Sequence, residues 1–512
     1  MKYLHVSPPW YVFYGDNNLR QPNTPLGAAY CAATAIRAGW SASIWNGDLL
    51  PVGSDVRYSE EITGYQNYLV NHSRKENPVW GEFRTVLRQI KPDVVGVTAL
   101  SPSYPSALRT CEIVKEELPS CKTIIGGPHA NALPREVAAD LNVDAAVFGE
   151  GEGPLTDLLN SWREGREIAG LAGVAARNAE GIVVKGRAGR NIENLDHLGW
   201  PAKGLVYDPH GLRKRDNHGL VMFSRGCPYK CEFCASPALW TYKVRFRSPA
   251  DMADEMYATH KAYDTRYFSF EDDTFTLNRK RVMKLLGEII DRGLPSVPGF
   301  RWTANTRPDR VDPELLAKMK EAGCAAVAIG VEFGSSRMLE KMRKDFTIDD
   351  ARRAVKQIKA AGLISSGQFL IGMPTERPEE MWQTIELADE LEVDSVMLSV
   401  ATPLPATALH AEALSLGLIP PTGLDWAHIT TKNDGILMTV EKDGKHIPMP
   451  LDERRSLVAD LHSAMNKIQE RTLHRRSASR SWYEAQYLPE DEVTPVYGVA
   501  KPNSDLAAAA AP

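Results

Sequence analysis

Three of the chain's seven cysteines, Cys227, Cys231 and Cys234, crowd into the stretch SRGCPYKCEFCASP, residues 224–237. Thiolates bind metals, and the spacing Cys-x3-Cys-x2-Cys lies on a loop that also contains glycine and proline. A structural zinc site calls for a fourth Cys or His in a matching knuckle. His218 is the nearest histidine upstream, and none follows closely. Three thiolates suit a 4Fe–4S cluster with one iron left open, and an open iron can bind a substrate or cofactor. Three buried structural thiols are the plain alternative, although a polar loop is an unusual place for them.

The elements around this loop alternate in type. Residues 1–165 read as strands and helices in turn: KYLHVSPPW, then a helix from Pro25 to Gly39 with proline at its start and glycine at its end, then SASIWNGD. PDVVGVTAL (Pro92–Leu100) is a β-branched run between two helical stretches, KTIIGGPHA is a strand ending in glycines, and DAAVFGEGEGPLTDLL is a strand running into a glycine-rich turn and a helix. This order predicts a Rossmann-like, doubly wound parallel α/β sheet with ligands beyond the strand C-termini. Residues 166–218 are less regular and read as a linker. From 219 to 418 the alternation resumes with LVMFSRGC, YFSFEDD, RWTANTR, AAVAIGVEF, SSGQFLIGM and SVMLSV as strands, which suits a full or partial TIM-type βα barrel. Residues 419–500 are expected to be mainly helical and to shape a substrate cavity, and 501–512 (KPNSDLAAAAAP) to be a disordered tail.

With the cysteines directly after the first barrel strand and Phe233 before the last of them, the chain resembles the radical S-adenosylmethionine (SAM) superfamily. There the open iron chelates the amino and carboxylate groups of SAM, whose reductive cleavage gives a 5′-deoxyadenosyl radical. A C–H bond without acidity is beyond a side-chain base, so a cofactor must carry that step. The resemblance implies SAM contacts at Glu271, Asp272 and Asp273 in FSFEDDTF, at Glu332 in IGVEFGS, and at Arg307 in TANTRPD, either with the SAM carboxylate or with one of these acids. GQFLIGMPTE resembles the strand whose backbone lies near adenine. ATPLPATAL resembles the barrel-closing Pro-x-Pro-Gly-Thr segment, with Ala406 in the glycine place.

A doubly wound domain ahead of such a barrel resembles the cobalamin-binding subfamily, through PPW, PLGAAYCAA, PDVVGVTALS, IIGGPHA and VFGEGE. The Asp-x-His-x-x-Gly motif that supplies an axial histidine elsewhere is absent from this sequence. The resemblance places the corrin or its tail against Gly126, Gly127, His129, Ser101 and Ser103. Gly149, Gly151 and Gly153 read as a cofactor-facing turn, without the strand–GxGxxG–helix context of a nicotinamide site. It implies a cobalamin-dependent methyltransferase acting on an unactivated carbon: one SAM methylates cobalamin, and a second yields the radical that opens the substrate to the methyl group. A cyclase or rearrangement enzyme with the same cofactors, and a non-catalytic cobalamin and cluster sensor, are the alternatives.

The bulk properties agree. A net charge of −5 across 512 residues gives no basic excess for nucleic acid. No apolar run reaches a membrane span, and the N-terminus lacks a signal-peptide pattern. The expected setting is the cytoplasm, where thiols stay reduced, with a small-molecule substrate and an electron donor such as flavodoxin or ferredoxin as partners. Cys31, Cys111, Cys121 and Cys324 are expected to carry no chemistry. Trp10 and Trp240 are noted only for lying near the predicted cofactor loops.

Overall fold

The computed structural model describes residues 1–14, 23–49 and 67–475. Residues 476–512, including the expected tail, lie outside them.

Five short, apolar, β-branched strands build the first sheet's parallel part: β1 Lys2–Ser7, β2 Ser41–Asn46, β3 Val94–Thr98, β4 Lys122–Gly126 and β5 Ala145–Val147. Successive strand residues face opposite sides. Leu4 and Val6 of β1 enter one core with Val95 and Val97 of β3, while Tyr3 and Val94 enter the other. The helices Pro78–Ile90 and Tyr104–Glu117 cover the first core. Leu26–Arg37 and Glu152–Arg163 cover the second. Both faces are therefore closed, as a doubly wound sheet requires.

The stretch 166–218 is not wholly a linker. It supplies β6 Val174–Arg177 and β7 Val183–Lys185, which extend the sheet antiparallel in the order β2-β1-β3-β4-β5-β6-β7. These strands have four and three residues and flank a turn at Gly181, too little for a period-2 pattern to show.

The second sheet is wholly parallel: β8 Leu220–Val221, β11 Tyr267–Phe270, β12 Arg301–Thr306, β13 Cys324–Glu332, β14 Ile364–Ile371 and β15 Ser395–Val400, ordered β15-β14-β13-β12-β11-β8. Its two edges do not pair, so the barrel is partial. LVMFSRGC is not one strand. After β8 the chain changes partner, and β9 Ser224–Arg225 pairs antiparallel with β10 Arg245–Phe246. The loop between these two short strands, 226–244, contains all three clustered cysteines. The C-terminal part adds a hairpin, β16 Thr439–Lys442 with β17 Lys445–Pro448, and the helix Leu451–Arg475. That helix places Val458, Leu461, Met465 and Ile468 in the barrel core and covers the β15 edge. Among the described residues no helix is long and apolar enough to cross a membrane.

Trp302 is fully buried beside Phe270 and Phe275, and its indole N–H donates to the Ala322 carbonyl at 2.8 Å. Trp302→Ala leaves a cavity and an unpaired carbonyl. It should lower unfolding free energy by about 3–5 kcal/mol, read as a fall in the denaturant midpoint.

Candidate functional site

The cysteine loop has little regular structure, so its shape comes from its neighbours. Asp272, almost fully buried, accepts from the Phe223 N–H at 3.0 Å and from the Ser224 hydroxyl, which fixes the chain just before the loop. The Tyr229 ring lies 3.5 Å from the Arg307 guanidinium, and its hydroxyl accepts from Arg310 Nε at 2.5 Å. Glu232 donates its N–H to Met342 O, accepts from the Leu409 N–H through its carbonyl, and pairs with Arg343 at 2.7 Å. Phe233 meets Phe333 edge-on and lies 5.5 Å from the Lys344 ammonium.

All three cysteines are free and half-buried. Cys227 Sγ is 3.9 Å from Thr274 Oγ1, Cys231 Sγ is 3.9 Å from the Arg343 carbonyl, and Cys234 Sγ accepts from the Ser236 N–H at 3.4 Å. Burial pushes each thiol up, Cys234 to about 12; Cys227 raises Cys231 further, and Cys231 and Cys227 raise Cys234. Lys344 and Arg307 oppose this at Cys231. Three soft thiols on one loop are the donor type a cluster takes, and such thiols lose their protons on binding a metal group; among the described residues no three His, Cys, Asp or Glu side chains are already gathered as an ion site.

The acids at the end of β11 divide. Asp272 is engaged inside the fold, contrary to its expected cofactor contact, and burial pushes its carboxyl up to about 7. Glu271 and Asp273 are open to solvent, yet burial still raises both carboxyls. Asp273 accepts from the Ser236 hydroxyl at 2.6 Å, two residues past Cys234.

Arg307 does not pair with Glu271, Asp272, Asp273 or Glu332. It is buried, bonded to Asp309 at 2.9 Å and to the Lys344 carbonyl at 2.6 Å, and stacked on Tyr229. Glu332 sits at a register shift at the end of β13 with φ +68° and pairs with Lys344 at 3.0 Å. Burial opposes the Lys344 ammonium, but Glu332 and Cys231 outweigh it and raise its pKa.

At the first sheet, the expected tail contacts are taken up internally. His129 is fully buried. It bonds to Ser101 Oγ at 3.1 Å and lies between Tyr104 and Trp426, and burial lowers its pKa to about 4. Ser103 Oγ accepts from the Leu100 N–H. Gly127, at φ +92°, is required by packing, since a Cβ there would meet the Ala99 carbonyl at 2.9 Å. A Cβ at Gly126 would meet only Val147, at 3.9 Å. Gly149, at φ +78°, and Gly153 face open space, and Gly151 nearly so. Leu100, exposed at the β3 end, adds an apolar side chain to the same edge. A bare backbone cradle beside an apolar side chain fits a broad, flat ligand.

Cys111, Cys121 and Cys324 are buried and Cys31 is half-buried, with burial raising all four thiols, as core residues would be. Trp10 is half-buried, and Trp240 lies under the Arg225 guanidinium at 4.8 Å. Sequence reading missed Tyr229, Lys344, Arg225 and Arg245. Only Tyr229, inside the cysteine spacing, carried a local signal.

Two family descriptions match the chain: Radical SAM superfamily over residues 221–388, and B12 binding domain over residues 17–159. The chain is 32% identical over 360 residues to an uncharacterized methyltransferase of Pyrococcus horikoshii, covering 70% of this chain and 76% of that one. It is 31% identical over 343 residues to the anaerobic magnesium-protoporphyrin IX monomethyl ester cyclase of Rubrivivax gelatinosus, covering 65% of this chain and 60% of the cyclase. Among solved structures, the fold matches TsrM from Kitasatospora setae, a radical SAM methyltransferase with cobalamin and a 4Fe–4S cluster bound. The TM-score is 0.64 at 20% identity, over 90% of this chain and 88% of TsrM.

Two outcomes test the local geometry. The raised Asp272 carboxyl keeps its proton in the folded state where an unfolded Asp, at 3.8, has lost it. Its stabilisation is therefore full below that value and disappears as pH rises toward about 7. Asp272→Asn has no such proton, so the wild-type Tm should fall relative to the variant's over that range; parallel curves would refute the assignment. Ala406, at φ +64°, holds a backbone conformation that favours glycine. Ala406→Gly should stabilise by about 1 kcal/mol, seen as a raised Tm.

Proposed function

The chain belongs to the radical SAM enzymes that carry a B12-binding domain, and we propose that it is a cobalamin-dependent methyltransferase acting on an unactivated carbon of a small molecule. The observation that carries this reading is Asn131. Its Oδ1 accepts from the Gly149 N–H at 2.6 Å, and its Nδ2 donates to the Ala238 carbonyl. One side chain thus ties the open glycine turn of the first sheet to the cysteine loop, which supports a reading in which the two loops serve one reaction.

When bound, a 4Fe–4S cluster, SAM and cobalamin supply hydrogen abstraction and a transferable methyl group. The chain's own residues do the holding. Cys227, Cys231 and Cys234 offer three thiolates from one loop and leave a fourth position free. Lys344 and Arg307 place positive charge beside them. Glu271 and Asp273 would offer carboxylates to an ammonium from the exposed end of β11, and Glu332, oriented by Lys344, would offer one to hydroxyl groups. Gly149 and Gly151 keep the backbone bare for a corrin face. His129 is too enclosed to serve as a cobalt ligand, which agrees with the missing axial-histidine motif. The reaction needs an external electron donor of the flavodoxin or ferredoxin kind, and we place it in the cytoplasm.

The likeness to a cyclase favours one other reading, with the same cofactors and no methyl transfer. Products separate the two. Under reducing conditions with substrate, methyl transfer gives S-adenosylhomocysteine and deoxyadenosine together. Deoxyadenosine alone points to cyclisation or rearrangement, and neither product to a binding protein. Replacing any one of the three cysteines with alanine should reduce iron from about four per chain to near zero and abolish deoxyadenosine formation. Full iron and activity in any of the three would sink the cluster assignment.

A further inference from the structure

A buried charge cluster joins the two sheets at a point the chemistry above does not use. Glu150 and Glu152 flank Gly151 in the turn after β5. Glu150, whose side chain is wholly inaccessible, accepts from Arg225 Nη1 at 3.0 Å through one oxygen. Through the other it accepts from Arg245 Nη1 at 2.7 Å and the Ile192 N–H at 2.5 Å. Glu152 accepts from Arg225 Nη2 at 2.6 Å. Both arginine side chains are 2% exposed. The Arg225 guanidinium also lies between Tyr30 and Trp240, at 5.4 and 4.8 Å.

The placement of the arginines gives this cluster its meaning. Arg225 and Arg245 are direct partners in the β9–β10 ribbon. Opposed residues of an antiparallel pair share a face, and like charges there repel. Two guanidiniums alone would force this two-residue ribbon apart. Glu150 removes the repulsion by bridging them, and Glu152 brings the buried cluster to charge neutrality. Burial opposes ionisation of Glu150, but Arg245, Ile192 and Arg225 outweigh it and hold its carboxyl below the usual value. The ribbon is the base of the 226–244 loop, and Cys227 lies two residues beyond Arg225. The base of the cysteine loop and the glycine turn of the other sheet are thus held together by one set of ion pairs.

We propose that Arg225, Arg245, Glu150 and Glu152 are positioning residues that set the separation and orientation of the two cofactor sites. This rests on the cofactor assignment above. Their role would be exerted through the turn and the loop they lock together. A bidentate guanidinium fixes direction as well as distance, which a lysine ammonium does not.

The test uses the full chain with cobalamin as cob(II)alamin and a reconstituted cluster. Electron paramagnetic resonance reads how much the reduced cluster speeds relaxation of the cobalt signal, a distance-dependent quantity. The variants are Arg225→Lys, which keeps charge without the fork, and the milder Glu152→Gln. In the wild type, reducing the cluster should shorten cobalt relaxation. In both variants the enhancement should fall while cobalamin and iron per chain stay at wild-type levels, and deoxyadenosine should form with less S-adenosylhomocysteine beside it. Unchanged enhancement at full occupancy in both variants would overturn the proposal and leave the function intact. A wild type that binds no cobalamin or no iron overturns both. If Arg225→Lys does not fold, Glu152→Gln decides alone.

Discussion

Desolvation of three thiols on one loop is the constraint around which the barrel end is arranged. Burial raises Cys227, Cys231 and Cys234, and negative charge on Cys227 raises both Cys231 and Cys234 further. Deprotonating all three needs compensating positive charge from outside the loop. The 342–346 segment supplies it from one side, through Lys344 beside Cys231, and Arg307 from another. Both cations are anchored, Lys344 by Glu332 and Arg307 by Asp309 and the Tyr229 ring. They act as fixed charges rather than mobile side chains. Fixed charges need no reorganisation when a ligand arrives, which is the condition for a prearranged electrostatic site.

Parallel topology then decides where the parts can meet. In each sheet the loops at the strand C-termini carry the glycines, acids and cysteines. The two sets are useful together only if those ends face one another. Asn131 and the Arg225–Glu150 cluster connect them across the junction, so the second sheet and the first are joined at the same edges that hold the candidate residues. A buried pair of this kind is not a strong source of net stability, because desolvation offsets much of the attraction. Its directional hydrogen bonds argue for a role in geometry.

The parts of this arrangement that were legible in the sequence were local. Pro25 and Gly39 bracket the first helix, the β-branched runs at 94–98 and 122–126 are strands, and the cysteine spacing marks the loop. Strand-end glycines were legible as turns but not by use: Gly127 serves packing, whereas Gly149 faces open space. His129 looked available because it follows a strand end. It is enclosed by Tyr104 and by Trp426, which is almost 300 positions away in the chain. Arg225, Arg245 and Lys344 were not singled out, since nothing near them in sequence announces a buried carboxylate. The β6–β7 hairpin was missed for a different reason: strands so short take their identity from the sheet edge they complete.

Two strained residues lie at strand ends on the side of the barrel that carries the cysteine loop. Glu332 and Ala406 both hold left-handed conformations without being glycine, one at the end of β13 and one after β15. Each costs on the order of 1–2 kcal/mol and persists only where surrounding structure overrides the preference. For Glu332 the override is visible. The register shift between Gly330 and Glu332 inserts a residue opposite β14, and the carboxylate folds back over Gly330, where a Cβ would meet its Oε1 at 2.5 Å. Without the shift, the strand's alternation would turn this side chain to the opposite face. With it, the carboxylate meets Lys344, and Lys344 meets the field of Cys231. The strained residue, the missing side chain at 330 and the buried lysine are thus one device. It carries the position of a barrel strand into the charge environment of the cysteine loop.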